Sequence, residues 1–222
     1  MIIGISGRIG SGKDTVGEII QKLCLTNEGP EFEIKKFAGK LKQMASLLTG
    51  IPVEDFEDQE IKNSILGEEW GKLGVNNPLL AIEPFKKFQF WELMSVRELL
   101  QKLGTDAVRD GLHKDAWVNA LFADYKYEIH RSEVPTRAAG FIDQHVYPNW
   151  IITDMRFENE MEAVEQREGI TIRVVRPGTS IGTHPSETAL DDAEFDYEII
   201  NDGYISDLID KVIDILTLEK LI

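Results

Sequence analysis

The chain contains a single cysteine, Cys24, among its 222 residues, so no disulfide can form within it. This cysteine usage fits a reducing compartment such as the cytoplasm. No apolar run approaches the roughly 18 residues that a membrane-spanning helix needs. The first residues, Met1 to Ser6, are apolar from the start and show no basic leader. We therefore expect a cytoplasmic chain that is not associated with a membrane.

Basic residues are scarce. The chain has 24 Lys and Arg against 39 Asp and Glu, which gives a formal net charge of −15. A protein that binds the phosphate backbone of a nucleic acid needs a basic face, so we expect no nucleic-acid partner. A few local Lys and Arg side chains can still hold a small nucleotide, and acidic surface elsewhere mainly favours solubility.

The hydrophobic pattern alternates between strands and helices at both ends of the chain. Short apolar runs predict five strands: Met1 to Ser6, Phe32 to Phe37, Trp150 to Thr153, Ile170 to Val175 and Phe195 to Ile200. Helical spacing separates most of them, and this order is typical of an α/β fold with a mainly parallel sheet. We predict one domain over residues 1–222.

The middle of the chain reads as a helical insert at about residues 50–125. Ser95 and Glu98 form a capping-box pattern at the start of one of its helices, which we expect Gly104 to close. Two stretches, Gly71 to Glu92 and Lys126 to Asn149, match no pattern. We interpret both as surface excursions without an assigned role.

A glycine-rich segment, GRIGSGKDT, lies between the first strand and the first helix. Gly7, Gly12 and Lys13 match the spacing of a Walker A loop, which wraps phosphates with backbone N–H groups. Glycines allow close approach, and the helix start adds a positive dipole end. We expect Lys13 to reach the β- and γ-phosphates of ATP. The alternative is a glycine turn with an exposed lysine, which the strand-loop-helix setting disfavours.

The loop departs from the usual pattern at one position. Asp14 stands where Ser or Thr commonly holds Mg²⁺, and Thr15 follows one residue later. A carboxylate can hold magnesium directly or through water, so Mg²⁺ stays an expected cofactor with Asp14 and Thr15 as candidate ligands.

A second acidic site follows the strand in NWIITDMRF, which delivers Asp154 to its carboxyl end. Ligands bind at that end of open α/β sheets, so Asp154 is a third candidate for orienting Mg²⁺ or its water. Arg156 could neutralise charge on a transferring phosphoryl group. The alternative is a helix-capping aspartate followed by a solvated arginine.

A kinase that joins two phosphate-bearing substrates needs a second anion clamp. Arg97 and Gln101 are four residues apart and so share one helix face. An arginine can hold a phosphate bidentately, Gln101 and Thr105 can bind a base or sugar, and Trp117 can stack. From the residues alone, Arg97 could equally be a surface charge and Trp117 a core residue.

Several blocks in order along the chain resemble the deoxynucleoside monophosphate kinases found mainly in bacteriophages. They are SGKDT (11–15), FAGKLK (37–42), RELLQKLGTDAVRD (97–110), HKDAW (113–117), DMRFENE (154–160), VVRPG (174–178), HPSE (184–187) and FDYEIINDG (195–203). The resemblance implies a three-layer P-loop kinase sandwich with a five-stranded parallel sheet, and a host cytoplasm if the gene is phage-borne. That family also carries an aspartate at the position of Asp14.

The resemblance also implies site residues. The donor site with ATP would be formed by Gly7, Gly10, Ser11, Gly12, Lys13 and Thr15. The catalytic residues would be Lys13, Asp14, Asp154 and Arg156. The acceptor site would be formed by Arg97, Gln101, Gly104, Thr105, Trp117 and Glu160. His184 to Glu187 shows neither metal-ligand spacing nor a nucleophile elbow, and we interpret it as a loop near the nucleotide.

Three functions remain open at this point. The first is phosphoryl transfer from ATP to a deoxynucleoside monophosphate. The second is a P-loop kinase for another phosphorylated acceptor, because animal phosphomevalonate kinases have a similar loop and a similar aspartate-arginine strand end. The third is a regulatory module that ATP switches. The accepted bases, the selection of deoxyribose and the oligomeric state, with a homodimer among the alternatives, are left open.

Overall fold

A computed structural model describes residues 1–74, 90–133, 141–179 and 188–222. The strands are β1 (Ile2–Gly7), β2 (Phe32–Lys35), β3 (Lys72–Gly74), β4 (Phe90–Glu92), β5 (Glu128–Glu133), β6 (Phe141–Val146), β7 (Asn149–Met155), β8 (Ile170–Val175) and β9 (Tyr197–Ile200). The helices are α1 (Lys13–Thr26), α2 (Ala38–Thr49), α3 (Gln59–Asn63), α4 (Val96–Gln101), α5 (Ala116–Phe122), α6 (Glu158–Glu165) and α7 (Ile205–Leu218), with short 3₁₀ turns at Glu54–Glu57 and Glu68–Trp70.

The central sheet has five strands in the order β2-β7-β1-β8-β9. Every neighbouring pair is parallel, with Ile3 opposite Ile151 of β7 and Ile5 opposite Ile172 of β8. This confirms the predicted α/β class and its five-stranded parallel sheet. The carboxyl ends of these strands lie at one edge of the sheet, where ligands bind in such folds.

The two faces of the sheet carry separate cores because successive side chains of a strand point to opposite faces. Ile3 and Ile5 of β1 pack with apolar residues of α1 and α7. Ile2 packs on the other face with residues of α5 and α6. Helices therefore cover both faces of a sheet whose central strand is buried from Ile2 to Ser6, which explains why Met1 to Ser6 reads as a continuous apolar run.

The described chain divides into two compact units. The first comprises Met1–Gly39 and Trp117–Ile222 and contains the central sheet. The second, Lys40–Ala116, has its own apolar core, formed by Ala45, Phe56, Leu66, Val96 and Leu99. Helical residues dominate the second unit, and the predicted division into one domain with a helical insert stays a prediction.

The helix that starts after Ser95 is longer than predicted. Ser95 caps it as expected, because its hydroxyl accepts a hydrogen bond from the backbone N–H of Glu98 (3.2 Å). Gly104 does not close it: the helix continues from Lys102 to Asp110 as a π-helix. A Cβ at Gly104 would lie 2.9 Å from a methyl carbon of Leu41, so this glycine permits close packing against α2 instead of ending the helix.

Both unassigned stretches contain a pair of antiparallel strands, which the sequence did not predict. β3 pairs with β4, and β5 pairs with β6 in the register Glu128 to Val146. At one end of the second pair the rings of Tyr127 and His145 stack with centroids 4.2 Å apart. Residues 75–89 and 134–140 lie outside the described parts. Within those parts, no helix has both the length and the apolar character needed to cross a membrane.

Candidate functional site

The glycine-rich segment connects the end of β1 to the start of α1, as its sequence predicts. Gly10 and Gly12 have φ values of 78° and 97°, in the left-handed region that favours glycine. Gly7 is needed for another reason, because a Cβ there would lie 2.4 Å from the Ser11 hydroxyl oxygen and 2.6 Å from the carbonyl oxygen of Val174. The loop therefore folds tightly over the carboxyl end of the sheet.

Two polar side chains are buried inside this loop. Lys13 is 8% exposed and Ser11 is 1% exposed. No described residue forms a hydrogen bond with the Ser11 hydroxyl, although leaving a buried hydroxyl unpaired costs free energy. Phosphate oxygens would satisfy it, and the 14-residue helix α1 presents its positive end at the same place. The residues present fit a polyphosphate.

Asp14, the second residue of α1, contacts β7 and the residue that follows β2. Its Oδ1 accepts a hydrogen bond from the Thr153 hydroxyl of β7 (2.9 Å) and lies 3.0 Å from the Lys36 ammonium group. Burial alone would raise the pKa of Asp14, but the hydrogen bonds from Lys36 and Thr153 and the charges of Lys36 and Lys13 outweigh it and lower the pKa. The carboxylate is thus ionised, about half exposed, and suited to a divalent cation, with half-buried Thr15 next to it.

Asp154 lies near the end of β7, where the sequence predicts it. Its two carboxylate oxygens accept hydrogen bonds from the backbone N–H groups of Phe37 (2.7 Å) and Ala38 (2.9 Å). Burial raises the pKa of Asp154, and these two hydrogen bonds together with the charges of Arg156 and Lys36 oppose the rise. Asp154 therefore fixes the turn that leads from β2 into α2, and its contact with Mg²⁺ stays a prediction.

A polar cleft of about 520 Å³ lies beside the loop, at the carboxyl edge of the sheet. Four arginines line it: Arg8, Arg156, Arg173 and Arg176. Asp191 bridges two of them, with contacts of 3.1 Å to Arg8 and 3.3 Å to Arg173. In a chain of net charge −15, these four guanidinium groups concentrate positive charge around one cleft, whose lining also includes the acidic residues Asp191 and Glu198. Only Arg156 of the four was predicted to take part.

Glu160 is 4% exposed and lies at the start of α6. Its Oε2 accepts hydrogen bonds from the backbone N–H groups of Arg156 (2.8 Å) and Phe157 (3.2 Å). These contacts satisfy donors at the helix N-terminus. They also fix the backbone that carries Arg156, and the contact of Glu160 with a substrate stays a prediction.

Four of the predicted acceptor residues belong to the second unit. The Arg97 guanidinium donates to Gln59 Oε1 (2.8 Å) and Asn63 Oδ1 (3.2 Å) of α3. Gln101 is exposed on α4, the helix that also carries Arg97. Gly104 and Thr105 follow in the π-helical part.

Trp117 begins the first unit's second segment, on α5, and is 8% exposed. A shared acceptor pocket for these residues stays a prediction. His184 to Glu187 lies outside the described residues, and its interpretation as a loop near the nucleotide stays a prediction.

Three side chains that contact the loop were not predicted. They are Lys36 and Thr153, which hold Asp14, and Asn201, whose amide donates to the carbonyl oxygen of Ser11 (2.8 Å). Lys36 lies near the end of the predicted strand Phe32 to Phe37 and Asn201 directly follows the predicted strand Phe195 to Ile200, so their position at the carboxyl edge of the sheet was a usable signal. Thr153 looked like one more β-branched residue of a buried strand.

Among the residues described, no three His, Cys, Asp or Glu side chains group closely enough to ligate a metal by themselves. Magnesium commonly takes one or two carboxylates and completes its shell with water and substrate phosphates. A single carboxylate such as that of Asp14 is therefore enough for this kind of magnesium binding.

Comparison with known proteins gives a consistent picture. The chain is 32% identical over 119 residues to the deoxynucleotide monophosphate kinase of Enterobacteria phage T4, a match that covers 53% of this chain and 44% of that protein. It is 25% identical to a putative deoxynucleotide monophosphate kinase of Acanthamoeba polyphaga mimivirus, over 96% of this chain and 94% of the relative. It is 24% identical to the deoxynucleoside-5'-monophosphate kinase of Escherichia phage T5, over 90% and 89%.

The match to the phage T4 protein thus spans less than half of that protein's length. A sequence profile for deoxynucleotide monophosphate kinase matches residues 61–212, about two thirds of the chain. This match begins after the glycine-rich loop (Gly7 to Thr15), so the loop is an independent observation. The chain belongs to the deoxynucleotide monophosphate kinase family.

Proposed function

We propose that this chain transfers the γ-phosphoryl group of ATP to a deoxynucleoside monophosphate, giving a deoxynucleoside diphosphate and ADP. The observation that carries the proposal is the loop from Gly7 to Lys13, with two left-handed glycines, a buried lysine and a buried hydroxyl at the start of α1. This arrangement suits the phosphates of a nucleotide. The names of the relatives supply the acceptor class.

In this proposal the acceptor's phosphate oxygen attacks the γ-phosphorus in line, and the bond from that phosphorus to the oxygen shared with ADP breaks. Such reactions depend on positioning and charge neutralisation more than on covalent chemistry of the protein. Lys13 contacts the β- and γ-phosphates. Arg156 is a candidate for neutralising the transferring group, since it lines the cleft beside the loop.

Asp14 and Thr15 are the candidates for holding Mg²⁺, and Asp154 orients the backbone beside them. The ion supplies charge that neutralises the phosphate oxygens when it is bound. Lys36 and Thr153 hold the Asp14 carboxylate in one direction, so the ligand is already oriented before the nucleotide binds.

We propose that the polyphosphate of ATP also contacts the cleft beside the loop. Arg8 and Arg173 are held by Asp191, which limits their motion. Arginines suit this role because their planar fork of donors matches phosphate oxygens. On the acceptor side we propose Arg97, with Gln101, Gly104, Thr105 and Trp117, and leave Glu160 as a further candidate.

An acceptor panel tests the proposal. ADP release would be measured with ATP, Mg²⁺ and, in turn, each of the four dNMPs, AMP, CMP and mevalonate phosphate. We expect turnover with at least one dNMP and little with mevalonate phosphate. Turnover only with mevalonate phosphate would favour the isoprenoid alternative, and ATP binding without transfer to any acceptor would favour the regulatory alternative. The comparisons support neither.

Two further parts of the proposal concern the setting of the reaction. We place it in a cytoplasm, that of the host if the gene is phage-borne. A homodimer stays a prediction that sedimentation velocity would test, since a monomer and a dimer of this 25.1 kDa chain sediment differently.

A further inference from the structure

Asn201 makes a long-range contact with the phosphate loop. It follows β9 directly, 190 residues after the loop, and its side-chain Nδ2 donates to the carbonyl oxygen of Ser11 at 2.8 Å. Its own backbone N–H donates to the carbonyl oxygen of Val175 at the end of β8 (2.7 Å). Asn201 is therefore bonded to the sheet through its backbone and to the loop through its side-chain amide.

The position of this amide over Gly12 is close. A Cβ on Gly12 would lie 2.5 Å from Nδ2 of Asn201. Gly12 has φ 97° and ψ 13°, a conformation that side-chain-bearing residues rarely adopt. The glycine thus serves both the backbone conformation and the space that the amide occupies.

We propose that Asn201 is a positioning residue that locks the peptide between Ser11 and Gly12 in one orientation. In a trans peptide the C=O of one residue and the N–H of the next point in opposite directions. By holding the Ser11 carbonyl on its own side, Asn201 fixes the Gly12 N–H on the other side. Glycine turns readily, so without this bond the peptide could rotate and present a carbonyl oxygen to an anion.

Helix α7 restrains the backbone on both sides of Asn201. The Lys211 ammonium group donates to the carbonyl oxygen of Ile200 (2.5 Å) and pairs with Asp202 (3.1 Å), the two residues that flank Asn201. The connection between β9 and α7 is therefore held on both sides of the asparagine. Restraint passes from Lys211 to the backbone of Asn201, and from its amide to the phosphate loop.

The inference rests on the proposed nucleotide binding, and the test separates the two. Binding of ADP and ATP, with and without Mg²⁺, would be measured by titration calorimetry on the full chain, together with the Gly12 amide resonance in the nucleotide-free protein. Wild-type protein that binds neither nucleotide would contradict the proposed function itself. Every other outcome bears on Asn201.

Three variants give the comparison. Asn201→Ala removes the donor. Asn201→Asp keeps the size and shape but places a carboxylate oxygen against the Ser11 carbonyl. Asn27→Ala is the matched control, because the Asn27 amide also donates to a backbone carbonyl, that of Leu23 (2.8 Å), at the opposite end of α1.

We expect Asn201→Ala to weaken ADP binding on the order of tenfold, and Asn201→Asp to weaken it further. The Gly12 amide resonance should shift in both. KM for ATP should rise more than KM for the acceptor, and Lys211→Met should show a smaller effect in the same direction. Asn27→Ala should change thermal stability alone.

A role in packing alone predicts the opposite order, with Asn201→Asp close to wild type because its shape is preserved. That order would overturn the proposal. So would ADP affinity within about twofold of wild type for both Asn201 variants in folded protein, or an unshifted Gly12 resonance.

Discussion

The ammonium group of Lys36 lies 3.0 Å from Oδ1 of Asp14, the same oxygen that accepts the Thr153 hydroxyl hydrogen bond. Lys36 is the residue after β2, and Asp14 is the second residue of α1. The pair thus joins the start of α1 to the end of β2, which lies two strands away from β1 in the sheet. A candidate magnesium ligand has a positive partner supplied by the chain itself, which keeps the carboxylate ionised and oriented.

Replacing Lys36 tests the electrostatics of this pair. Lys36→Met should raise the pKa of Asp14, because burial, which by itself raises it, then acts without the lysine's hydrogen bond and charge. The carboxyl resonance of Asp14, followed by NMR through a pH titration, measures the change. Lys22→Met, on an exposed residue of α1, is the control and should leave the titration where it is.

The sign for stability follows from the direction of the shift. The pKa of folded Asp14 lies below the ordinary aspartate value of 3.8. The stabilisation is therefore complete above that value and is lost as pH falls through the folded pKa. The difference in unfolding free energy between wild type and Lys36→Met should shrink with acidification. A difference that grew at low pH would contradict the assignment of the pair.

Lys13 supplies charge at the loop, so its loss should affect turnover far more than folding. Lys13→Met keeps most of the aliphatic stem of this buried side chain and removes the ammonium group. We expect kcat to fall at least about 100-fold, the scale for losing one charge-stabilising donor. Circular dichroism and a melting curve check the fold. Near-normal turnover in the folded variant would remove Lys13 from the phosphate site.

The two aspartates should respond differently to magnesium. Asp14→Asn and Asp154→Asn should each lower kcat, but raised Mg²⁺ should rescue mainly Asp14→Asn. The reason is that both oxygens of Asp154 already accept backbone N–H groups, whereas Asp14 is half exposed at the loop. Initial rates across a magnesium titration measure this. Preferential rescue of Asp154→Asn would reverse the roles.

Replacing Arg97 tests the proposed acceptor site directly. Arg97→Ala should lower kcat/KM for the dNMP by roughly 10- to 150-fold, equivalent to losing about 1.5–3 kcal/mol of charged hydrogen bonding. KM for ATP should change little. Gln59→Ala removes one of the amides that hold Arg97 and should give a smaller loss. If ATP binding falls instead, Arg97 belongs to the donor side, and if nothing changes, it is a surface charge.

Glu160 offers a test of stability against binding. Glu160→Ala leaves the backbone N–H groups of Arg156 and Phe157, just before α6, without their acceptor and should cost about 1–3 kcal/mol of unfolding free energy. Urea denaturation measures it, with Glu158→Ala, on an exposed residue of the same helical turn, as the control. A rise in KM for the dNMP with unchanged stability would support the substrate contact predicted from the family resemblance.

Local patterns were sufficient to predict the central sheet and the phosphate loop. Apolar runs bounded by glycine or polar residues predict strands, and Ser95 followed by Glu98 predicts a helix start, because these signals act over a few residues. Gly104 was misread because glycine has two uses. Its close contact with Leu41 is a packing requirement that depends on another helix.

The partners of the loop could not be predicted for a similar reason. Lys36, Thr153 and Asn201 reach the loop only after the strands have been ordered in the sheet, and the strand order β2-β7-β1-β8-β9 does not follow from the chain order. The pairing of β5 and β6 escaped because Lys126 to Asn149 lacks a clean alternation of apolar and polar residues. Ile129 is exposed and stands among polar residues, so the sequence around it does not show the pattern of a half-buried strand.

The pairing of β1 also decides when the molecule can take shape. Both neighbours of this strand lie far along the chain, since Ile3 is opposite Ile151 on one side and Ile170 on the other. Contacts of such sequence separation form late and slow folding. During synthesis, which proceeds towards the C-terminus, the apolar β1 segment is made well over a hundred residues before β7 and β8 and stays unpaired until then. The nascent chain must therefore keep this apolar strand from pairing with other chains until β7 and β8 are made.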